Sequence, residues 1–277
     1  MNVVAYQGEA GAYSEEGALA LFPDAERHAL PSIRKVFEAV EVGRVSAGLV
    51  PLDNSQAGSI NETYDLFLRH GLHLVGETVV RVDHCLLALP GSAIDELAEV
   101  MSHPQAIAQC EEFLNALEVT VRAEYNTAGA AKRIAEQRLE RTAAIASKRA
   151  AELYGLEVLA ERIQTYPDNY TRFGVLSRDP KPLGEPDKTS LVFGVGHVAG
   201  SLYRCLGAFA ERHLNLTKLE SRPRAGRPWE YVFYADVDVP ATRQEMVDAL
   251  GALSEHATFT RVLGSYAAAV QRHRRRV

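Results

Sequence analysis

Cysteine and tryptophan are scarce: three and one, respectively, in 277 residues. Cys85, Cys110 and Cys205 are odd in number and far apart, which gives neither a disulfide framework nor a CxxC metal pattern. They read as reduced core thiols. No apolar run approaches the roughly 20 residues of a membrane span. Met1-Asn2-Val3-Val4-Ala5-Tyr6 has no basic segment ahead of a long apolar run, so no signal peptide is expected. A soluble, cytoplasmic protein with no membrane partner is the expectation. Positive charge is not in excess: 30 Lys and Arg stand against 36 Asp and Glu, a net charge of −6. That argues against nucleic acid as a partner. The local exception, Arg272-His273-Arg274-Arg275-Arg276, reads either as a solvated terminus or as a grip for an anion or partner.

The usual nucleotide and nucleophile signatures are also missing. Residues 3–6 are followed by Gly8 and Gly11 alone rather than GxGxxG, and no GKS or GKT phosphate loop occurs. There is no GxSxG elbow. His70 and His73 have no third ligand in view, so no metal is expected. His103 reads as a capping or packing residue.

What the chain does have is a 47% apolar composition and an alternation of short β-branched runs with alanine-rich stretches over its first 180 residues. This is the pattern of an α/β sheet protein. Strands are predicted at 3–6, 47–50 (stopped by Pro51), near Val100, and at 119–123, 143–146 and 171–177. Helices are predicted at 15–21, 33–42, 60–69, 106–117, 128–138 and 149–154. Residues 74–89 form one extended stretch, longer than the usual strand of about 5–6 residues. It and 171–177 read as crossovers joining two α/β lobes, one about 1–80 with 166–180 and the other about 81–165. A single continuous sheet is the competing topology. Residues 179–186 hold three prolines and a glycine and read as a linker. Beyond them strand 190–195, helix 201–212, strand 214–220, strand 229–237, helix 243–255 and a strand near 259–263 give the βαββαβ order of a ferredoxin-like domain.

Four strand-to-helix junctions carry small polar residues: Gln7-Gly8-Glu9-Ala10-Gly11-Ala12-Tyr13-Ser14, Asp53-Asn54-Ser55-Gln56-Ala57-Gly58-Ser59, Ser102-His103-Pro104-Gln105 and Asn126-Thr127-Ala128-Gly129. Free amides and the positive end of a helix dipole make such places anion sites; capping serves equally well. Four of them together suggest a small anion in a cleft at strand ends. Thr171-Arg172-Phe173 opens the return strand. Its hydroxyl is a donor and its guanidinium suits a carboxylate.

These residues resemble the signatures of the prephenate dehydratase family, nearly end to end. The matching segments are Gln7-Gly8…Gly11-Ala12-Tyr13-Ser14, Val50-Pro51-Leu52-Asp53-Asn54-Ser55…Gly58-Ser59, Ser102-His103-Pro104-Gln105-Ala106…Gln109-Cys110 and Thr171-Arg172-Phe173. Further on, 214–223 resembles the phenylalanine-binding ACT domain attached to these enzymes. Four departures stand out. The family usually has glutamate at Asp53, often aspartate at Asn126, alanine at Ser201 and commonly glycine at His213. With no chorismate mutase region ahead of Met1, the resemblance is to the monofunctional form.

The resemblance implies a periplasmic-binding-protein-like two-lobed catalytic domain over 1–180 and an ACT domain over 188–277. It implies decarboxylating dehydration of prephenate to phenylpyruvate, with arogenate dehydratase or a non-catalytic amino-acid-binding regulator as alternatives. No cofactor is implied, because aromatisation drives the reaction. Thr171 is implied as the donor that polarises the leaving hydroxyl. Asn54, Ser55, Ser102, Gln109, Thr127, Arg172 and Phe173 are implied around the substrate. L-phenylalanine as effector is implied at Gly200, Ser201, Leu202, Asn215, Leu216, Glu220, Ser221, Arg222 and Pro223, between subunits of a homodimer or homotetramer.

Overall fold

A computed structural model describes residues 3–223 and 230–269. The basic tail at 272–276 and Trp229 lie outside the described residues. The chain forms two compact units, Met1–Thr63 with Val79–Phe173 and Tyr64–Thr78 with Gly174–Val277. Among the described residues no helix is long and apolar enough to cross a membrane.

In chain order the elements up to the linker are β1 Val3–Gln7, α1 Tyr13–Leu21, β2 Glu26–Leu30, α2 Ile33–Glu41, β3 Ala47–Asn54, β4 Gly58–Ser59, α3 Asn61–Phe67, β5 His73–Arg81 and β6 Cys85–Ala88. They continue with β7 Glu99–Ser102, α4 Pro104–Gln109, α5 Glu111–Asn115, β8 Thr120–Ala123, α6 Thr127–Gln137, β9 Thr142–Ala146, α7 Lys148–Tyr154, β10 Glu157–Ala160 and β11 Tyr170–Ser177. They build two sheets, ordered β2-β1-β3-β11-β5, with β4 beside β3, and β10-β6-β9-β7-β8. The two-lobed expectation therefore holds over the single sheet. In the first sheet β1 lies parallel to both β2 and β3. In the second, β7 is parallel to β8 and β9, while β6 is antiparallel to β9 and β10.

Local sequence explains most of these elements. α2 buries Ile33, Val36, Phe37 and Val40 on one stripe, and its cap Ser32 accepts from Lys35 N–H at 3.3 Å. β9 is buried along its whole length, and small side chains let α6 and α7 approach it closely. Ala128, Ala130, Ala131, Ala144, Ala146, Ala150 and Ala151 share one core.

Several expectations need correction. β3 runs through Pro51 to Asn54 rather than stopping at the proline. The single extended stretch at 74–89 is two strands separated by Val82, Asp83 and His84. At that break Val82 N–H donates to Asn169 O at 2.8 Å, tying the two crossovers together. The helix expected over 106–117 divides at Cys110, whose backbone (φ −110°, ψ 19°) leaves the helical region. β2 and β10 were not foreseen; Glu26-Arg27-His28-Ala29-Leu30 is a mostly exposed strand with no apolar alternation to reveal it.

After the linker come β12 Lys188–Val195, α8 Ser201–Ala210, β13 Leu216–Pro223, β14 Tyr231–Val237, α9 Gln244–His256 and β15 Ala257–Tyr266. The sheet order β13-β14-β12-β15, antiparallel throughout, is the ferredoxin-like arrangement. α8 and α9 cover one face over Leu191, Phe193, Cys205, Phe209, Phe233 and Leu253. The other face holds Tyr64–Thr78. Tyr234 packs on Tyr64 with ring centroids 4.8 Å apart and donates its hydroxyl to Tyr64 O at 2.6 Å. Arg261 donates to the carbonyls of Phe67, His70 and Leu72, which satisfies the open end of α3. Lys188 pairs with buried Glu77 at 2.6 Å. A Cβ on Gly264 would overlap the Leu74 carbonyl.

Candidate functional site

Inside the first unit, the end of β3, the 82–84 break, the end of α4 and the start of β11 converge on a polar cluster. Its orientation can be derived from the backbone outward. The amides of Gln56 and Ala57 donate to Asn54 Oδ1 at 3.0 and 2.9 Å, so Asn54 must aim Nδ2 the other way. Nδ2 donates to Asn169 Oδ1 at 2.7 Å and to Thr171 Oγ1 at 3.0 Å, with Tyr170 O at 3.2 Å. Asn169 then presents Nδ2 to Gln109 Oε1 at 3.0 Å. Gln109 Oε1 also meets His84 Nε2 at 2.9 Å. An amide oxygen only accepts, so Nε2 carries the proton. Burial lowers the His84 pKa, which leaves Nδ1 an acceptor facing the Tyr13 hydroxyl at 3.2 Å. The single Tyr13 hydroxyl proton is shared between this nitrogen and Asp83 O, 2.8 Å away.

This cluster is neutral and largely buried: Asn54, His84 and Asn169 are 5%, 2% and 0% exposed. Thr171 is half-buried at its edge. A carboxamide nitrogen has no lone pair to offer, so Thr171 Oγ1 is the acceptor in its bond with Asn54. Its own proton faces another direction. Among the described residues that proton has no acceptor.

The pleat sends neighbouring side chains to opposite faces. Next to the Asn54–Thr171 rung, Asp53 and Arg172 form a second one on the other face: Arg172 Nε donates to Asp53 Oδ2 at 2.7 Å, and Nη2 meets the same oxygen. Ser59 Oγ donates to Asp53 Oδ1 at 3.2 Å. This gives Asp53 an ion-pair partner at the position where the family usually has glutamate, and it gives Arg172 a carboxylate within the chain.

Other candidates part from the cluster. Ser102 is fully buried and donates to Ile145 O at 2.6 Å, which ties β7 to β9. Ser55 Oγ accepts from Tyr170 N–H and donates to Asp168 O, a staple for the strand start. Phe173 is core, 4% exposed. Thr127 opens α6 behind its cap Asn126, which accepts from Gly129 N–H; no hydrogen bond brings Thr127 to the cluster. Of the expected contacts, Asn54 hydrogen-bonds Thr171, and Gln109 joins the same cluster through Asn54 and Asn169.

In each of the four junctions a side chain of the chain itself takes at least one amide, the capping alternative. Glu15 Oε2 accepts from Gly11 N–H at 2.8 Å, Asn54 takes 56 and 57, His103 takes Gln105 and Asn126 takes Gly129. The first junction instead latches one lobe to the other. Ser147 Oγ donates to Gly11 O and Tyr154 OH to Ala10 O, both at 2.7 Å, and Arg149 pairs with Glu15 at 3.0 Å. A Cβ on Gly11 would stand 2.9 Å from Ala150 Cα, so only glycine permits this approach.

Sequence reasoning missed His84, Asn169 and Gln164, and it named Tyr13 only as part of the first motif. His84 was hidden inside a presumed continuous strand. Gln164 grips the break through Oε1 to His84 N–H at 3.0 Å and Nε2 to Asp83 Oδ1 at 3.1 Å. Asn169, two residues before Thr171, was the one with a positional signal.

In the second unit, Gly200 caps α8 in the left-handed region (φ 79°). Ser201 is buried, and Leu202 and Leu216 border the helix-side core. Along β13, Ser221 pairs with Phe233 and shares its helix-side face, whereas Glu220 and Arg222 alternate to the other. Arg222 donates to Asp65 there at 3.0 Å. Asn215 and Pro223 are exposed at either end of the strand. The expected effector residues are therefore divided between two faces. His213 has φ 55°, the conformation that favours glycine.

The prephenate dehydratase family model matches residues 4–181. Arogenate dehydratase 2 of Petunia hybrida is 47% identical over 279 residues, covering 95% of this chain and 71% of the relative. A solved prephenate dehydratase from Arthrobacter aurescens in complex with L-Phe has a TM-score of 0.87 at 31% identity, covering 96% of this chain and 90% of that one. A structure described as GqqA, a novel type of quorum quenching acylase, has a TM-score of 0.89 at 33% identity, covering 98% and 100%. Matched over most of its catalytic part and along nearly its whole length, the chain belongs to the prephenate dehydratase family and is a dehydratase lyase.

Proposed function

We propose that the chain converts prephenate to phenylpyruvate in phenylalanine biosynthesis. The ring carboxylate leaves as carbon dioxide, its bonding pair enters the ring, and the 4-hydroxyl departs with a proton as water. Aromatisation supplies the driving force. The observation that carries the reading is the Asn54–Thr171 bond, which leaves the Thr171 proton free to reach a departing oxygen. A threonine hydroxyl is too weak an acid to surrender that proton fully at neutral pH, so Thr171 polarises the leaving group or relays a proton.

Arogenate, with an amine in place of the keto group, is the second reading, favoured by the name of the Petunia relative. The test is turnover of both substrates side by side, following phenylpyruvate from prephenate by ultraviolet absorbance and phenylalanine from arogenate. Faster turnover of arogenate reverses the assignment; turnover of neither overturns it. Acylase chemistry is disfavoured by the same geometry. A nucleophilic hydroxyl needs a base to take its proton, and Thr171 Oγ1 instead receives a donor.

The ferredoxin-like part is proposed as an ACT domain that binds L-phenylalanine, as the Arthrobacter relative does, in an assembly of at least two chains in the cytoplasm. Effector and substrate sites would then be linked by a coupling free energy. Calorimetry with phenylalanine, together with activity at millimolar effector, tests this; no heat and no change in rate would defeat it.

A further inference from the structure

We propose that His84 is a positioning residue of the dehydratase site, whose Nε2–H holds the Gln109 carboxamide in place against the Asn54–Asn169–Thr171 array. The inference rests on the reading of Thr171 above and deepens it.

Gln109 Oε1 sits between two donors, His84 Nε2 at 2.9 Å and Asn169 Nδ2 at 3.0 Å. Its amide nitrogen completes the ring of contacts at Asn54 Oδ1, 3.4 Å away. Asn169 is one of these donors, aimed by the bond its Oδ1 accepts from Asn54. His84 is the other, and it is anchored from outside the array. Its main-chain N–H donates to Gln164 Oε1, and its carbonyl accepts from Ile163 N–H at 3.0 Å. On the far side of its ring stands Tyr13, edge-on with centroids 5.7 Å apart. The break between β5 and β6 makes this geometry possible: in a continuous strand the 82–84 backbone would be used by the sheet ladder. Packing alone does not call for histidine here. An apolar residue would fill the 2%-exposed position without donating, and Gln109 Oε1 would keep only the Asn169 donor and be held less firmly.

The test uses the two carboxamides that imitate one ring nitrogen each. Glutamine places its nitrogen near the Nε2 position and asparagine near Nδ1. In the full-length protein, His84→Asn is expected to lower kcat about 10-fold or more, the scale of a small misplacement at a reacting centre, with KM within about 2-fold. His84→Gln is expected to recover most of the rate. Equal kcat in the two variants, whether high or low, overturns the proposal, since a filling or folding role does not distinguish them. A second readout is independent of turnover: the ring nitrogen shifts of His84 in histidine-labelled protein at neutral pH. The Nε2–H tautomer supports the proposal and the Nδ1–H tautomer overturns it. Inactivity of the unmutated chain on both substrates would instead remove the parent reading, and the tautomer would still decide whether His84 holds Gln109.

Discussion

Asn54 donates to the Thr171 hydroxyl at 3.0 Å and so turns that hydroxyl's own proton outward. One bond thereby converts a residue able to donate or accept into a donor of known direction. Thr171→Ala is expected to lower turnover at least about 100-fold, the scale of losing one oriented donor, with the fold intact by circular dichroism. Thr171→Ser keeps the hydroxyl and is expected to keep most of the rate. Near-normal turnover in the alanine variant would remove Thr171 from the mechanism.

The neighbouring rung serves stability. Arg172 and Asp53 are 16% and 22% exposed at their side chains, and removing one partner leaves a poorly hydrated charge. Arg172→Ala is expected to cost about 2 kcal/mol in urea unfolding, discounted for the residual exposure. A variant that unfolds at the unmutated midpoint but fails to bind substrate would return Arg172 to the site.

Glu16 adds a pH dependence. Burial raises its pKa to about 7, with Glu15 and Asp83 adding to the rise against Ser147 and Arg149. The folded state then holds a proton that the unfolded chain releases near 4.5. Stability is highest below about pH 4.5 as far as this group is concerned, and it falls as pH rises toward 7. Glu16→Gln is expected to flatten the decline between about pH 5 and 7.5 in thermal melts. An unchanged slope would show that Glu16 ionises freely.

His213 occupies a left-handed position before Leu214, at a cost of roughly 1 kcal/mol for a side chain with a Cβ. His213→Gly is expected to raise stability by about 0.5–1 kcal/mol, net of the entropy glycine loses on folding. The denaturation midpoint measures it, and a fall would mean that the imidazole makes a compensating contact.

Much of the fold was legible because its strands and helices carry strong patterns. α2 shows its buried stripe, and β9 and β12 are apolar runs between turn residues. The ferredoxin-like order could be read from six elements in sequence. The misreadings lie where local pattern and tertiary use diverge. Residues 74–89 look extended throughout, yet Val82-Asp83-His84 leaves the ladder to meet Asn169 and Gln164. Ser102 and Asn54 are both small polar residues at strand ends, and nothing in their neighbours says that one faces Ile145 O and the other Thr171.

By itself, then, the sequence determined the family and the two kinds of sheet, and it offered Thr171, Asn54 and Gln109 as candidates. Such motifs and periodicities are properties of the chain taken in order. Only the tertiary structure decided that Arg172 pairs with Asp53 and that His84 reaches Gln109. The Arg172–Asp53 and His84–Gln109 pairs are 119 and 25 residues apart in sequence, and a hydrogen bond goes to whichever group folding brings within about 3 Å.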